Sequence, residues 1–156
     1  MKAVTLRLDD ELFAIEAANV REILDMIPVT RVPNAPAFVA GLVNVRGSVV
    51  PLADFRVIFG MARRDVDPDT RIVVLDTVVE GEPLVVGLLA DRVEDVADLA
   101  AADIGPAPKV GLRWPPAFVR GVGQREGRFV ILPDLERIFA SRSAAEGGSA
   151  SAERRG

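Results

Sequence analysis

The sequence predicts an all-β protein with short helices, folded as two similar halves that pack together as two small barrels. Three observations point there: an internal repeat, a series of short β-favouring runs bounded by glycine and proline, and helix signals limited to one turn per half. The repeat is the most informative. Pro36 to Gly60 (PAFVAGLVNVRGSVVPLADFRVIFG) aligns without a gap with Pro116 to Ala140 (PAFVRGVGQREGRFVILPDLERIFA) at a shift of 80, and 11 of 25 positions are identical. They include Gly41/Gly121, Gly47/Gly127, Leu52/Leu132, Asp54/Asp134 and Phe59/Phe139. A weaker echo precedes it: Phe13 to Ile15 followed by Val20 to Ile23 resembles Val86 to Leu88 followed by Val93 to Val96, at a shift of 73. Each half, at about 60–70 residues, is too small to bury a generous core alone, so the two must pack together.

Taken along the chain, Val4, Leu6 and Leu8 alternate with Thr5 and Arg7 and read as an N-terminal strand. Asn19 and Glu22 have the spacing of a capping box at the start of a short helix. Leu42 to Val45 and Ser48 to Leu52 form a hairpin joined at Arg46-Gly47, where glycine supplies a positive φ. Asp54 caps a short helix, Phe55 to Phe59, with Gly60 as its stop, and Asp134 does the same for Leu135 to Phe139. Met61 to Asp69 is a polar connecting loop. Arg71 to Leu75, Leu84 to Ala90 and Phe129 to Leu132 are further strands, and Asp76 with the Glu80-Gly81-Glu82 turn forms a solvated rim. Trp114, followed by two prolines, is expected to plug a loop. Residues 1–140 are expected to form a single domain, with a first barrel at about 12–70, a second at about 71–140 and the N-terminal strand available to complete the second; 141–156, which lacks large apolar residues, is expected to be disordered.

Composition narrows the function. The chain has no cysteine, no histidine and no tyrosine, which removes disulfides, thiolate and imidazole metal sites, cysteine nucleophiles and the commonest general base. The remaining carboxylates, arginines and hydroxyls show no recognised catalytic spacing, so an enzyme is not expected, and neither is a cofactor or a metal site. A net charge of −4 argues against nucleic-acid binding. The longest apolar stretch, Leu84 to Ala90, is far short of the roughly 20 residues that cross a bilayer, and the N-terminus has no signal-peptide core. A cytoplasmic protein is expected.

Five segments carry a family resemblance: ValArgGluIle at Val20 to Ile23, ProAsnAlaProAlaPheValAlaGly at Pro33 to Gly41, AsnValArgGly at Asn44 to Gly47, ValProLeuAlaAsp at Val50 to Asp54, and ValGlyLeuLeuAlaAspArgVal at Val86 to Val93. In this order and spacing, from Val4 to Phe139, the chain resembles the CheW family of chemotaxis coupling proteins. The resemblance implies two five-stranded, SH3-like β-barrels and no enzymatic activity. It further implies an adaptor between the cytoplasmic tip of chemoreceptors and the regulatory domain of the histidine kinase CheA. Such an adaptor would be monomeric alone, multivalent in arrays and recruited to membrane receptor clusters.

By resemblance, Val20, Glu22 and Arg46 match receptor-binding positions, with Gly41, Asn44 and Gly87 as neighbouring candidates, while Arg71 and Ile72 fall in a segment associated with the kinase. The repeat separates scaffold from tip: Asn44, Val45 and Arg46 become Gln124, Arg125 and Glu126, whereas the flanking glycines persist. An arginine at the hairpin end suits a carboxylate-rich helical receptor tip. Each candidate also has a structural reading. Arg46 can brace the fold by pairing with Glu22, Val20 and Ile72 can be core, and Gly41 and Gly87 can serve the backbone. The rival functions are an adaptor for a non-chemotactic pathway such as pilus motility or gene control, a small-ligand-binding barrel, and a carboxylate enzyme.

Overall fold

The computed structural model describes residues 1–106 and 115–140; Trp114 and the 141–156 tail lie outside the described residues. The strands are β1 (Lys2–Leu8), β2 (Glu11–Glu16), β3 (Val20–Asp25), β4 (Val39–Val45), β5 (Ser48–Ala53), β6 (Arg71–Val79), β7 (Glu82–Ala90), β8 (Arg92–Asp98), β9 (Val119–Arg125) and β10 (Arg128–Pro133). Helix α1 (Phe55–Ile58) follows β5, and α2 (135–140) follows β10. Asp54 caps α1 by accepting from the Arg56 backbone N–H, and Asp134 accepts from that of Arg137. No helix follows Asn19. That segment is strand β3, and the Asn19 side chain donates instead to the Asp76 carbonyl.

The strands form two five-stranded sheets, the first in the order β3-β6-β7-β5-β4 and the second in the order β8-β1-β2-β10-β9. The orders superimpose if β3 matches β8, β6 matches β1, β7 matches β2, and β5-β4 match β10-β9. Even the single parallel pairing recurs, as β5 with β7 and β10 with β2. The sequence repeat runs β1 to α1 and then β6 to α2, yet each sheet takes two strands from one repeat and three from the other. This corrects the division at 70/71: β6 and β7 belong to the first sheet, and both β1 and β2 to the second. A cut at the repeat boundary therefore severs both sheets. Separate fragments 1–65 and 66–156 are expected to show no cooperative unfolding alone and to regain strand circular dichroism when mixed.

Each sheet curls until the chain leaving one edge bridges the other: Thr30, beyond β3, pairs with Leu42 of β4, and Gly105, beyond β8, pairs with Val122 of β9. The apolar side chains then sort into three clusters. Val43, Val50, Leu52, Ile72, Val74 and Leu89 fill the first barrel, and Ala3, Leu12, Ala14, Ala97, Val130 and Leu132 fill the second with Leu99. The third and largest cluster lies between them, where Phe13 and Ile15 of β2, Val73 and Leu75 of β6 and Leu88 of β7 meet Phe55 of α1, Phe59 just beyond it, and Ile138 and Phe139 of α2. Strands β2 and β6 are thus apolar on both faces, one lining a barrel and the other the interface between barrels, so they read as runs and not as alternation. Thr5, expected to face outward, is buried; its hydroxyl donates to the Asp95 carbonyl and accepts from the Asp95 N–H.

Candidate functional site

The β4–β5 hairpin closes through Arg46 (φ 51°) and Gly47 (φ 85°), both in the left-handed region, as a two-residue turn matched to strand twist requires. Asn44 braces the tip, its Oδ1 accepting from the Gly47 N–H at 2.8 Å. This turn puts Arg46 at the apex with its side chain 73% exposed. From the opposite edge, β3 sends Arg21, Ile23 and Asp25 outward and leaves Glu22 half-sheltered, where it accepts from Arg46 Nη1. The hydrogen bond to Glu22, then its charge, hold the Arg46 guanidinium above its ordinary pKa, against a smaller opposing effect of desolvation. Val20, at the start of the same strand, packs on the inter-barrel core. Glu22, Asn44 and Arg46 are therefore brought together where the two edges of the first sheet meet, while Val20 lies two residues along β3 with its side chain on the inter-barrel core.

The second sheet has its own clasp. Arg125 Nη2 lies 3.0 Å from Asp95 Oδ2, joining β9 to β8 as Arg46 joins the β4 hairpin to β3. Asp95 matches Glu22 at the shift of 73, but the arginine sits one position earlier, since Arg125 matches Val45 and Glu126 matches Arg46. Bracing is therefore common to both halves. Display is not: the Arg125 side chain is 28% exposed, against 73% for Arg46.

Three candidates are buried. Ile72 is fully buried inside the first barrel, on a strand flanked by β3 and β7, in keeping with the core reading open to it. Gly87 is buried where an added Cβ would meet Ile72 at 3.1 Å and Leu52 at 3.2 Å. Gly41 is buried under the crossing segment, with Thr30 O only 2.5 Å from the position of an added Cβ. Both glycines allow neighbouring segments to pack closely. Arg71 is partly exposed at the far end of β3–β6 from Arg46, 3.4 Å from Asp25, and donates to the Pro68 and Thr70 carbonyls. On the expected rim, Asp76 pairs with Arg21 at 2.7 Å.

Sequence reading missed the exposed apolar side chains around the clasps. Val49 (68% exposed) lies across from Asn44, and Ile23 lies beside Glu22; Phe129 (65% exposed) and Val96 hold the matching places on the second sheet. The signal was available, because Val49 and Phe129 align at the shift of 80 and Ile23 and Val96 at the shift of 73. Among the described residues, no group of three or more acidic side chains is placed to hold a metal ion, and no helix is long and apolar enough to cross a membrane.

Comparison with known proteins gives a consistent result. The family model described as "CheW-like domain" matches residues 2–143. A "Chemotaxis protein CheW" of Rhizobium meliloti is 37% identical over 88% of this chain and 86% of its own length. One of Klebsiella aerogenes is 36% identical over 88% of this chain and 81% of its own. The crystal structure of the scaffolding protein TtCheW from Thermoanaerobacter tengcongensis superimposes with a TM-score of 0.79 at 29% identity, covering 88% of this chain and 86% of that one.

Proposed function

We propose, for a chain that belongs to the CheW-like domain family, a non-enzymatic scaffold function in chemotaxis: it couples the cytoplasmic tip of a chemoreceptor to the histidine kinase CheA. The observation that carries this reading is the displayed arginine. Both halves use an acid–arginine clasp to brace a sheet edge, but only Arg46 stands at a hairpin apex with most of its side chain in solvent. One nitrogen engages Glu22, which fixes the fork in place, and the remaining donors are free to bind a carboxylate on a receptor helix. Val20, Glu22 and Asn44 complete the receptor-facing edge, and the exposed Val49 and Ile23 add apolar area to it. Arg71, at the other end of β3–β6, is assigned to the kinase side, with Ile72 supporting that strand from within.

No bond is made or broken by this chain; it works by geometry. One surface grips the receptor, another meets the regulatory domain of the kinase, and many copies in an array at the cytoplasmic face of the membrane give avidity to individually modest contacts. The test is the rate of CheA autophosphorylation with receptor cytoplasmic fragments, in the presence and absence of this protein. Adding the protein is expected to change the receptor-dependent rate by about tenfold or more. A rate that does not respond to it would remove the coupling function.

A further inference from the structure

A buried ion cluster joins three separate parts of the chain beside the inter-barrel core. Arg56, on α1, is 4% exposed and holds Asp54 with two bonds, Nε to Oδ1 at 2.9 Å and Nη2 to Oδ2 at 3.0 Å. Its Nη1 donates to Asp91 Oδ1 at 2.8 Å and to the Arg64 carbonyl at 3.2 Å. Asp91 stands between β7 of the first sheet and β8 of the second, and its other oxygen accepts from the Asp9 backbone N–H at 2.7 Å, in the β1–β2 turn of the second sheet. The Arg64 side chain closes the circuit from outside by binding Asp9 and Asp10. Burial works against the Arg56 charge, yet Asp54, Asp91 and Asp9 outweigh it and hold the guanidinium above its ordinary pKa.

The repeat shows what this cluster is for. Helix α2 forms in the second half with Asp134 as cap and Glu136 at the position of Arg56, exposed. A capped helix after the hairpin therefore needs no arginine. What Arg56 adds is reach, from the end of the first sheet to a turn of the second. We propose that the Asp54–Arg56–Asp91 cluster is an orientation lock, which sets the angle at which the two barrels are held and so the relative placement of any surfaces they carry. An apolar interface alone permits sliding, whereas bidentate and shared charge-assisted bonds are met in one arrangement.

The chain has no cysteine, so a spin-label pair at Val49→Cys and Phe129→Cys, one exposed site on each sheet, reports the inter-barrel distance in the full-length protein. Wild type is expected to give one narrow distribution, and Arg56→Met one that is shifted or about doubled in width with strand circular dichroism retained. A folded Arg56→Met protein with the wild-type distribution would overturn the lock. Should that variant fail to fold, Asp91→Asn decides: the lock predicts broadening, because one Asp91 oxygen accepts from Arg56 on α1 and the other from the Asp9 N–H in the β1–β2 turn, and an unchanged distribution overturns it. Glu136→Met, at the repeat-related position, is expected to leave the distance unaltered; broadening there equal to that of Arg56→Met would also count against the lock.

Discussion

Arg46→Glu is expected to lower the affinity for a receptor cytoplasmic fragment by about tenfold or more, while the melting temperature stays within about 3 °C of wild type. The contrast follows from position. Arg46 lies at a solvent-facing apex with most of its side chain in solvent, so its loss opens no cavity, and an exposed ion pair contributes little to folding. A receptor carboxylate, in contrast, would meet a like charge where it had met a fork of donors. The bracing alternative predicts a different pattern, and a charge swap separates the two. Glu22→Arg combined with Arg46→Glu restores a clasp between β3 and the hairpin but reverses which group is displayed. If displayed charge binds the receptor, the double variant stays as weak as the single one; recovery of binding would mean that the clasp only braces the edge. Calorimetric titration and a thermal melt on each variant supply the readouts.

Gly41→Val is expected to cost about 2–4 kcal/mol of stability in urea unfolding. An added Cβ would lie 2.5 Å from Thr30 O and 2.6 Å from Val29 Cγ1, and the first of these is backbone that cannot rotate away. Relief requires lifting the 29–30 segment from β4, which breaks the reciprocal Thr30–Leu42 hydrogen bonds, each 2.8 Å, that close the first barrel. Gly121→Val repeats the experiment on the second barrel, where the nearest atoms are Ile104 Cγ2 at 2.9 Å and Gly105 O at 3.1 Å. Its effect should be smaller, because a side-chain end can yield. A Gly41→Val protein of undiminished stability that still loses receptor binding would restore Gly41 as a contact residue.

The all-β class, the β4–β5 hairpin at Arg46-Gly47 and the two capped helices were legible in the sequence, because each rests on local chemistry: alternation, a left-handed turn and a side-chain cap. The pairing of strands was not. A repeat reports that two segments resemble each other without saying which strands exchange, so the cut at the repeat boundary assigned β6 and β7 to the wrong barrel. Strands β3 and β8 were hidden by their charges. Four of the seven residues of β8 are charged, as suits an edge strand that must not recruit another chain. Burial was equally hard to read for Ile72, which sits mid-sheet, and for Arg56, whose place after a helix cap resembles that of an ordinary solvated arginine. At the site, Glu22 and Arg46 were legible as a pair. That the second half carries a matching but less exposed clasp was not, because its arginine is displaced by one residue.

Coupling itself is read out by co-sedimentation of the purified protein with a receptor cytoplasmic fragment and CheA. Wild type is expected to join both partners in one complex, and Arg46→Glu to keep the kinase but lose the receptor. Wild-type protein that sediments with neither partner would contradict the coupling function.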